Sequence, residues 1–262
     1  MERVQSPVVA GLFYPGDAAR IREDIGGYLA AAEAQTGFTP KALIAPHAGY
    51  VYSGPVAGSA YATLAPLRGK IERVIILAPA HRVAFRGIAY SSASLFRTPL
   101  GELAVDRDAL ELVSGLPVMQ LRDDAFAAEH SIEVHLPFLQ LTLGDCRILP
   151  LLVGQTGVEQ VDQLLEILWG GEETLILISS DLSHYLDYDA ANALDRETSR
   201  AIESLDPARI GFDQACGRLP IGGLLLCARR HQLRVATLDL RNSGDTAGPR
   251  DRVVGYGAYA FY

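Results

Sequence analysis

Ala42-Leu43-Ile44-Ala45 runs into Pro46-His47. Val74-Ile75-Ile76-Leu77-Ala78 runs into Pro79-Ala80-His81, and Leu175-Ile176-Leu177-Ile178 runs into Ser179-Ser180-Asp181-Leu182-Ser183-His184. Unbroken aliphatic runs rich in Ile, Leu and Val predict strands covered on both faces. Ligands of open α/β sheets bind beyond the carboxyl ends of such strands. Each run delivers a histidine to that edge, and imidazole is the commonest protein ligand for metals. Two neutral imidazoles side by side resist joint protonation, a conflict that a bound cation resolves. Taken singly, His47 and His81 also read as hydrogen-bonded structural histidines, and Ser179 to Asp181 as the capped start of a helix.

Outward from these runs, strands alternate with helical patterns. Helices are expected from Ala18 to Ala34, from a cap at Ser53 or Gly54 (with Pro55 in the first turn) to Leu64, and from Asp106 to Leu116. Further helices are expected over Asp123 to Leu141, interrupted or kinked at Pro137, then Val158 to Leu168, Tyr188 to Leu205 and Pro220 to His231. Additional strands are expected at Gly87 to Ser91, Cys146 to Val153, Arg234 to Leu240 and Val253 to Tyr262. The alternation predicts an α/β fold: a layered α/β/α arrangement with a central, mostly parallel or mixed sheet, forming one domain over residues 1–262.

The bulk numbers narrow the function classes. Of 262 residues, 49% are hydrophobic and 21% charged, ordinary for a globular protein. With 23 Lys and Arg against 31 Asp and Glu, the net charge is −8 and no basic cluster interrupts it, which argues against a nucleic-acid surface. Met1 to Pro7 lacks the apolar core of a signal peptide, and no window approaches the roughly 18 apolar residues of a membrane span. A cytoplasmic protein with no membrane partner is the expectation. Three cysteines, Cys146, Cys216 and Cys227, form no Cys-x-x-Cys pair and their odd number speaks against a disulfide framework.

Candidate chemistry gathers on a few residues. Cys216 precedes an apolar helix; near its N-terminus the thiol pKa would fall and favour metal binding or nucleophilic attack. Cys227, inside the same helix, reads as core, and His231 at its end as surface. His184 is a candidate general acid/base, with Asp181 as its orienting partner. In Glu129-His130-Ser131-Ile132-Glu133-Val134-His135, a regular helix would put both glutamates on one face. His130 and His135 would then point in different directions at about 100° per residue. Glu129 and His130 therefore read as pocket lining and His135 as a solvent or packing contact. Tyr50, with Phe13, Tyr14 and Tyr52, offers an aromatic rim. His-Glu-x-x-His, glycine-rich phosphate loops and Gly-x-Ser-x-Gly are absent from the sequence.

Several stretches together resemble the Memo family, also called AmmeMemoRadiSam system protein B, which is related to the LigB-type class III extradiol dioxygenases. They are Ala10-Gly11-Leu12-Phe13-Tyr14-Pro15, Pro46-His47-Ala48-Gly49-Tyr50-Val51-Tyr52-Ser53-Gly54, Pro79-Ala80-His81 and Thr98-Pro99-Leu100-Gly101-Glu102. The series continues with Glu129 to Val134, Pro137-Phe138-Leu139, Ser179 to Tyr185, Cys216-Gly217 and Val254-Gly255-Tyr256, in order along essentially the whole chain. The resemblance implies a LigB-like fold, a metal triad of His47, His81 and Cys216, and a catalytic base at His184 beside Asp181.

The related dioxygenases hold Fe(II) with two His and one Glu. Cysteine here softens the donor set toward copper(I), zinc or an iron–thiolate, and Arg82 stands where a second histidine often follows. The resemblance thus implies one divalent or redox metal, iron first and copper or zinc as alternatives, in an oxidoreductase. As an alternative it admits a non-catalytic adaptor that binds a peptide or metabolite in the same pocket, and less readily a metal-dependent hydrolase. It also implies a small-molecule or peptide ligand and a pathway link to radical-SAM and AMMECR-type proteins.

Overall fold

A computed structural model describes residues 3–33 and 37–262. In chain order the strands are β1 (Val4–Gln5), β2 (Ala42–Ala45), β3 (Arg73–Pro79), β4 (Ile88–Tyr90), β5 (Leu95–Thr98) and β6 (Gly101–Ala104). They continue as β7 (Met119–Leu121), β8 (Arg147–Val153), β9 (Thr174–Ser179), β10 (His184–Leu186), β11 (Val235–Asn242) and β12 (Val253–Phe261). Among the described residues, nine of them form one mixed sheet in the order β10-β12-β2-β9-β3-β8-β4-β7, with β11 paired to β12. The aliphatic runs form its parallel centre, β2-β9-β3-β8. Antiparallel β12 and β4 flank that centre. β1, β5 and β6 make a small separate sheet.

Alternation along the central strands divides the core in two. Val74, Ile76 and Ala78 of β3 face a layer containing helices Ala18–Ala31, Tyr50–Ala62 and Leu136–Thr142. Ile75 and Leu77 face the opposite layer, built from Arg107–Ser114, Val158–Leu168, Tyr188–Glu203 and Arg218–Arg230. This is the expected α/β architecture with a central mixed sheet between helical layers. The first two helices approach closely because Gly58 has no side chain: a Cβ there would lie 2.8 Å from the Tyr28 Cβ. Among the described residues, no helix is long and apolar enough to cross a membrane.

Three local expectations are corrected. The helix expected to be capped by Ser53 or Gly54 is capped by Gly49 and starts at Tyr50, with Pro55 inside it. Amides of Tyr52 and Ser53 bond the Gly49 carbonyl, and the carbonyl that Pro55 leaves unpaired belongs to exposed Val51. The first helix ends at Ala31, and its expected end at Ala34 lies outside the described residues.

The stretch from Asp123 to Leu141 is broken rather than periodic: Asp123–Phe126, a 3-10 turn at Glu133–His135, then Leu136–Thr142 with Pro137 in its first turn. The Glu129 carboxylate accepts the amides of His130 and Ser131, taking N–H groups that a continuous helix would use itself. Glu129 and Glu133 consequently do not share a helical face.

Adjacent strands β2 and β9 send the chain to opposite layers, β2 into Tyr50–Ala62 and β9 toward Tyr188–Glu203. Their divergence opens a crevice at the carboxyl edge, the position where such sheets bind ligands.

Candidate metal centre

Each of three neighbouring strands overshoots into this crevice by two residues. β2 delivers His47, β9 delivers Asp181 and β3 delivers His81. A fourth segment reaches back from the start of helix Arg218–Arg230 and supplies Cys216. That approach requires the glycine beside it, because a Cβ on Gly217 would lie 2.6 Å from the Ser180 Cβ and 2.7 Å from the Ser179 carbonyl.

His47, His81 and Cys216 each place one ligand atom so that all three lie within 4.8 Å of one another. Cys216 Sγ is 3.4 Å from His47 Nε2, and the His47 and His81 rings are 5.1 Å apart. Counting protons fixes the tautomers. Ser179 Oγ donates its hydrogen to the Ser131 carbonyl at 2.7 Å, so toward His47 Nδ1, 2.6 Å away, it can only accept. Neutral His47 therefore carries its proton on Nδ1 and presents the Nε2 lone pair.

His81 Nδ1 stands 3.0 Å from Glu129 Oε1, and the His81 amide donates to the other carboxylate oxygen at 2.6 Å. Burial would raise the Glu129 carboxyl, but hydrogen bonds from the His81 ring and amide outweigh it and bring the pKa down to about 2. An ionised carboxylate behind an imidazole orients it and raises its basicity as a ligand. Burial, then the neighbouring imidazoles, hold His47 well below its usual range, so the His47 ring is available as a neutral donor.

The cysteine departs from expectation. Burial pushes the Cys216 thiol up to about 12, and the Asp181 carboxyl adds to the effect. Cys216 precedes the N-cap Gly217 and lies outside the first helical turn, where the dipole acts. The Asp181 amide donates to Sγ at 3.3 Å, a bond that favours thiolate but does not overcome desolvation. A cation at this point would supply the missing compensation, and two imidazoles and one thiol are a donor set that could hold one.

Of the remaining expected site residues, Glu129 and His130 stand at the centre. The His130 ring lies 5.5 Å from His47 and 5.0 Å from His81, with Phe13 against it at 4.6 Å. Burial lowers His130 to about 4. Asp181 is not a helix cap. Its Oδ1 accepts the His47 amide at 2.8 Å and its Oδ2 is 3.9 Å from His47 Nε2, while burial raises the carboxyl to about 7. It thus orients His47 rather than His184. His184 opens β10, exposed, and lines a cleft together with Cys216.

Tyr50 is placed in the core, not on the crevice wall. It is 4% exposed, its hydroxyl donates to the Val134 carbonyl, and its ring packs on Tyr14 and Phe138. Tyr14 is likewise buried, donating to Glu133, which also accepts the Val8 and Val9 amides. His135 is buried beside the Tyr61 hydroxyl, a packing contact. Sequence reasoning missed Ser179 and Ser131, since nothing local distinguishes a serine that fixes a distant tautomer.

A second cluster, Glu166, Cys227 and His231, also has metal-like spacing. Arg230 already supplies its cation, bonding Asp162 at 2.6 Å and Glu166 at 2.7 Å. Cys227 is core as expected. His231 is only partly exposed and stacks on Trp169.

The fold and the crevice define a layered α/β protein with an imidazole–thiol cluster at the carboxyl edge of its central sheet. The chain belongs to the Memo-like protein family, whose profile matches residues 5–260. MEMO1 family proteins of Pyrobaculum arsenaticum (34% identical, 99% of each chain) and Metallosphaera sedula (34%, 97% of this chain and 98% of that one) are similar over their whole lengths. So is one of Aquifex aeolicus, 32% identical over 97% of each chain. The crystal structure of an uncharacterized Escherichia coli K12 protein shares the fold at a TM-score of 0.54 and 13% identity, covering 83% of this chain and 98% of that one.

Proposed function

We propose that this chain is a metal-dependent oxidoreductase whose single metal ion is held by His47, His81 and Cys216, with iron as the first candidate and copper or zinc as alternatives. The observation that carries the reading is the mutual approach of the three ligand atoms, with His47 Nε2 freed by the Ser179 hydrogen bond. A redox metal held by these three residues would supply electron transfer to a bound small molecule. Glu129 and Ser179 fix the ligand rings, and Asp181 holds the His47 backbone. His130, from inside the crevice, and His184, from the adjoining cleft, are the groups placed to exchange protons with a bound molecule.

Metal analysis of anaerobically purified protein tests this. The expected result is about one equivalent in the wild type and under about a tenth in His47→Ala His81→Ala. Equal, trace contents in both proteins would overturn it.

A second reading, a peptide-binding adaptor, is favoured by one feature. Leu12, Val51 and Tyr52 are exposed beside the hydrogen bond that joins Phe13 to Tyr50, next to the His47 loop. It requires binding of a peptide that survives chelation of the metal.

A further inference from the structure

Beside Cys216 the surface forms a cleft of about 620 Å³. Leu186, Leu194 and Phe212 give it apolar walls, and His184, Asp213 and Arg218 are its charged or titratable side chains. Arg218 is the first residue of the helix that Cys216 leads into. Its guanidinium lies over the Phe212 ring, 5.2 Å from the centroid. Among the described residues, no carboxylate comes within ion-pair distance of it and no protein acceptor takes its N–H groups.

Phe212 is itself 79% exposed, so it is a platform for the arginine more than a core residue. A guanidinium stacked by its face keeps its edge free, and that edge matches a carboxylate or phosphate in bidentate fashion. Asp213, the other charged side chain of the cleft, makes no close ion pair with it and also lines the neighbouring groove that contains Arg200 and Arg209. In a chain of net charge −8, this leaves an unpaired cation beside the imidazole–thiol cluster.

We propose that Arg218 anchors the anionic head of the substrate, and that the substrate is an amphipathic organic acid, a carboxylate or a phosphate monoester. Its apolar body lies along Leu186, Leu194 and Phe212. This deepens the metal-centre reading and rests on it for the reaction, but not for the binding.

Titration calorimetry with hexanoate, hexyl phosphate and uncharged hexanamide tests the anchor on wild type, Arg218→Gln and Arg218→Lys. Hexanoate or hexyl phosphate is expected to bind the wild type in the millimolar range or tighter. Affinity should fall about tenfold or more in Arg218→Gln and partly recover in Arg218→Lys, with hexanamide weak throughout. The tighter of the two anions identifies the head group.

Rising salt should weaken the anion but not the amide, a wild-type measurement that stands even if Arg218→Gln fails to fold. Equal affinity for hexanoate and hexanamide, equal binding by wild type and Arg218→Gln, or no binding by any probe would overturn the proposal. Arg218-dependent binding in a protein that takes up no metal keeps the anchor and removes the metal reading. Metal uptake without Arg218 dependence does the reverse.

Discussion

Ser179 Oγ lies 2.6 Å from His47 Nδ1 while giving its only proton to the Ser131 carbonyl. One hydroxyl thereby decides which imidazole nitrogen faces Cys216. Ser179→Ala removes that decision without touching a ligand. Metal affinity, read by chelator competition, is expected to fall roughly 10–100-fold, with about 1 kcal/mol lost in folding stability. Unchanged affinity would mean that the tautomer is set elsewhere.

Gly217→Ala should act through sterics alone. The added methyl meets Ser180 Cβ and the Ser179 carbonyl, so the Cys216 segment must withdraw from the strand end. About 1–3 kcal/mol of destabilisation is expected in urea melts, as for an overpacked core. Weakened metal uptake should accompany it. A variant with native stability and native uptake would show that the backbone there has room to spare.

Glu129 accepts from the His81 ring and amide and from the amides of His130 and Ser131. Glu129→Gln keeps the shape but loses the charge and turns one acceptor into a donor facing those amides. Roughly 2–4 kcal/mol of stability should be lost. In addition, the His81 ring should become free to rotate, visible as exchange broadening of its NMR signals.

Much of the architecture is legible in the sequence. Ala42–Ala45, Val74–Ala78 and Leu175–Ile178 announce buried strands because a strand covered on both faces cannot afford polar residues. From that follows the edge to which His47 and His81 are delivered. The unreadable part is the pairing across long separations. Glu129 meets His81, and Asp181 meets His47 rather than His184, because neighbouring strands decide partners and sequence spacing does not. The helical pattern at Glu129 to His135 misled for the same reason, since Glu129 and Glu133 bond distant segments instead of their own turn. Tyr50 reads as a rim residue because loop tyrosines often are; a helix capped at Gly49, four or five residues earlier than expected, places it in the core.

Asp195 gives a pH signature away from the metal ligands. Burial raises its carboxyl to about 6, even though the Ser183 amide donates to it at 3.0 Å. The folded state therefore prefers the protonated form more than the unfolded chain does. The contribution of this group to stability is greatest below the ordinary carboxylate range, declines as pH climbs to about 6, and then levels, by roughly 3 kcal/mol at most. Asp195→Asn should flatten that part of a pH series of urea melts. A decline of the same size in the variant would assign it to another group.

The two histidines of the proposed metal site come from the first third of the chain, and its cysteine lies 169 residues beyond His47. During synthesis, an emerging polypeptide exposes both imidazoles long before the Cys216 thiol can join them. Loading of the proposed ion would therefore wait until the Cys216 segment has emerged. Fragments ending before Cys216 should be unable to retain it, however well their own strands assemble.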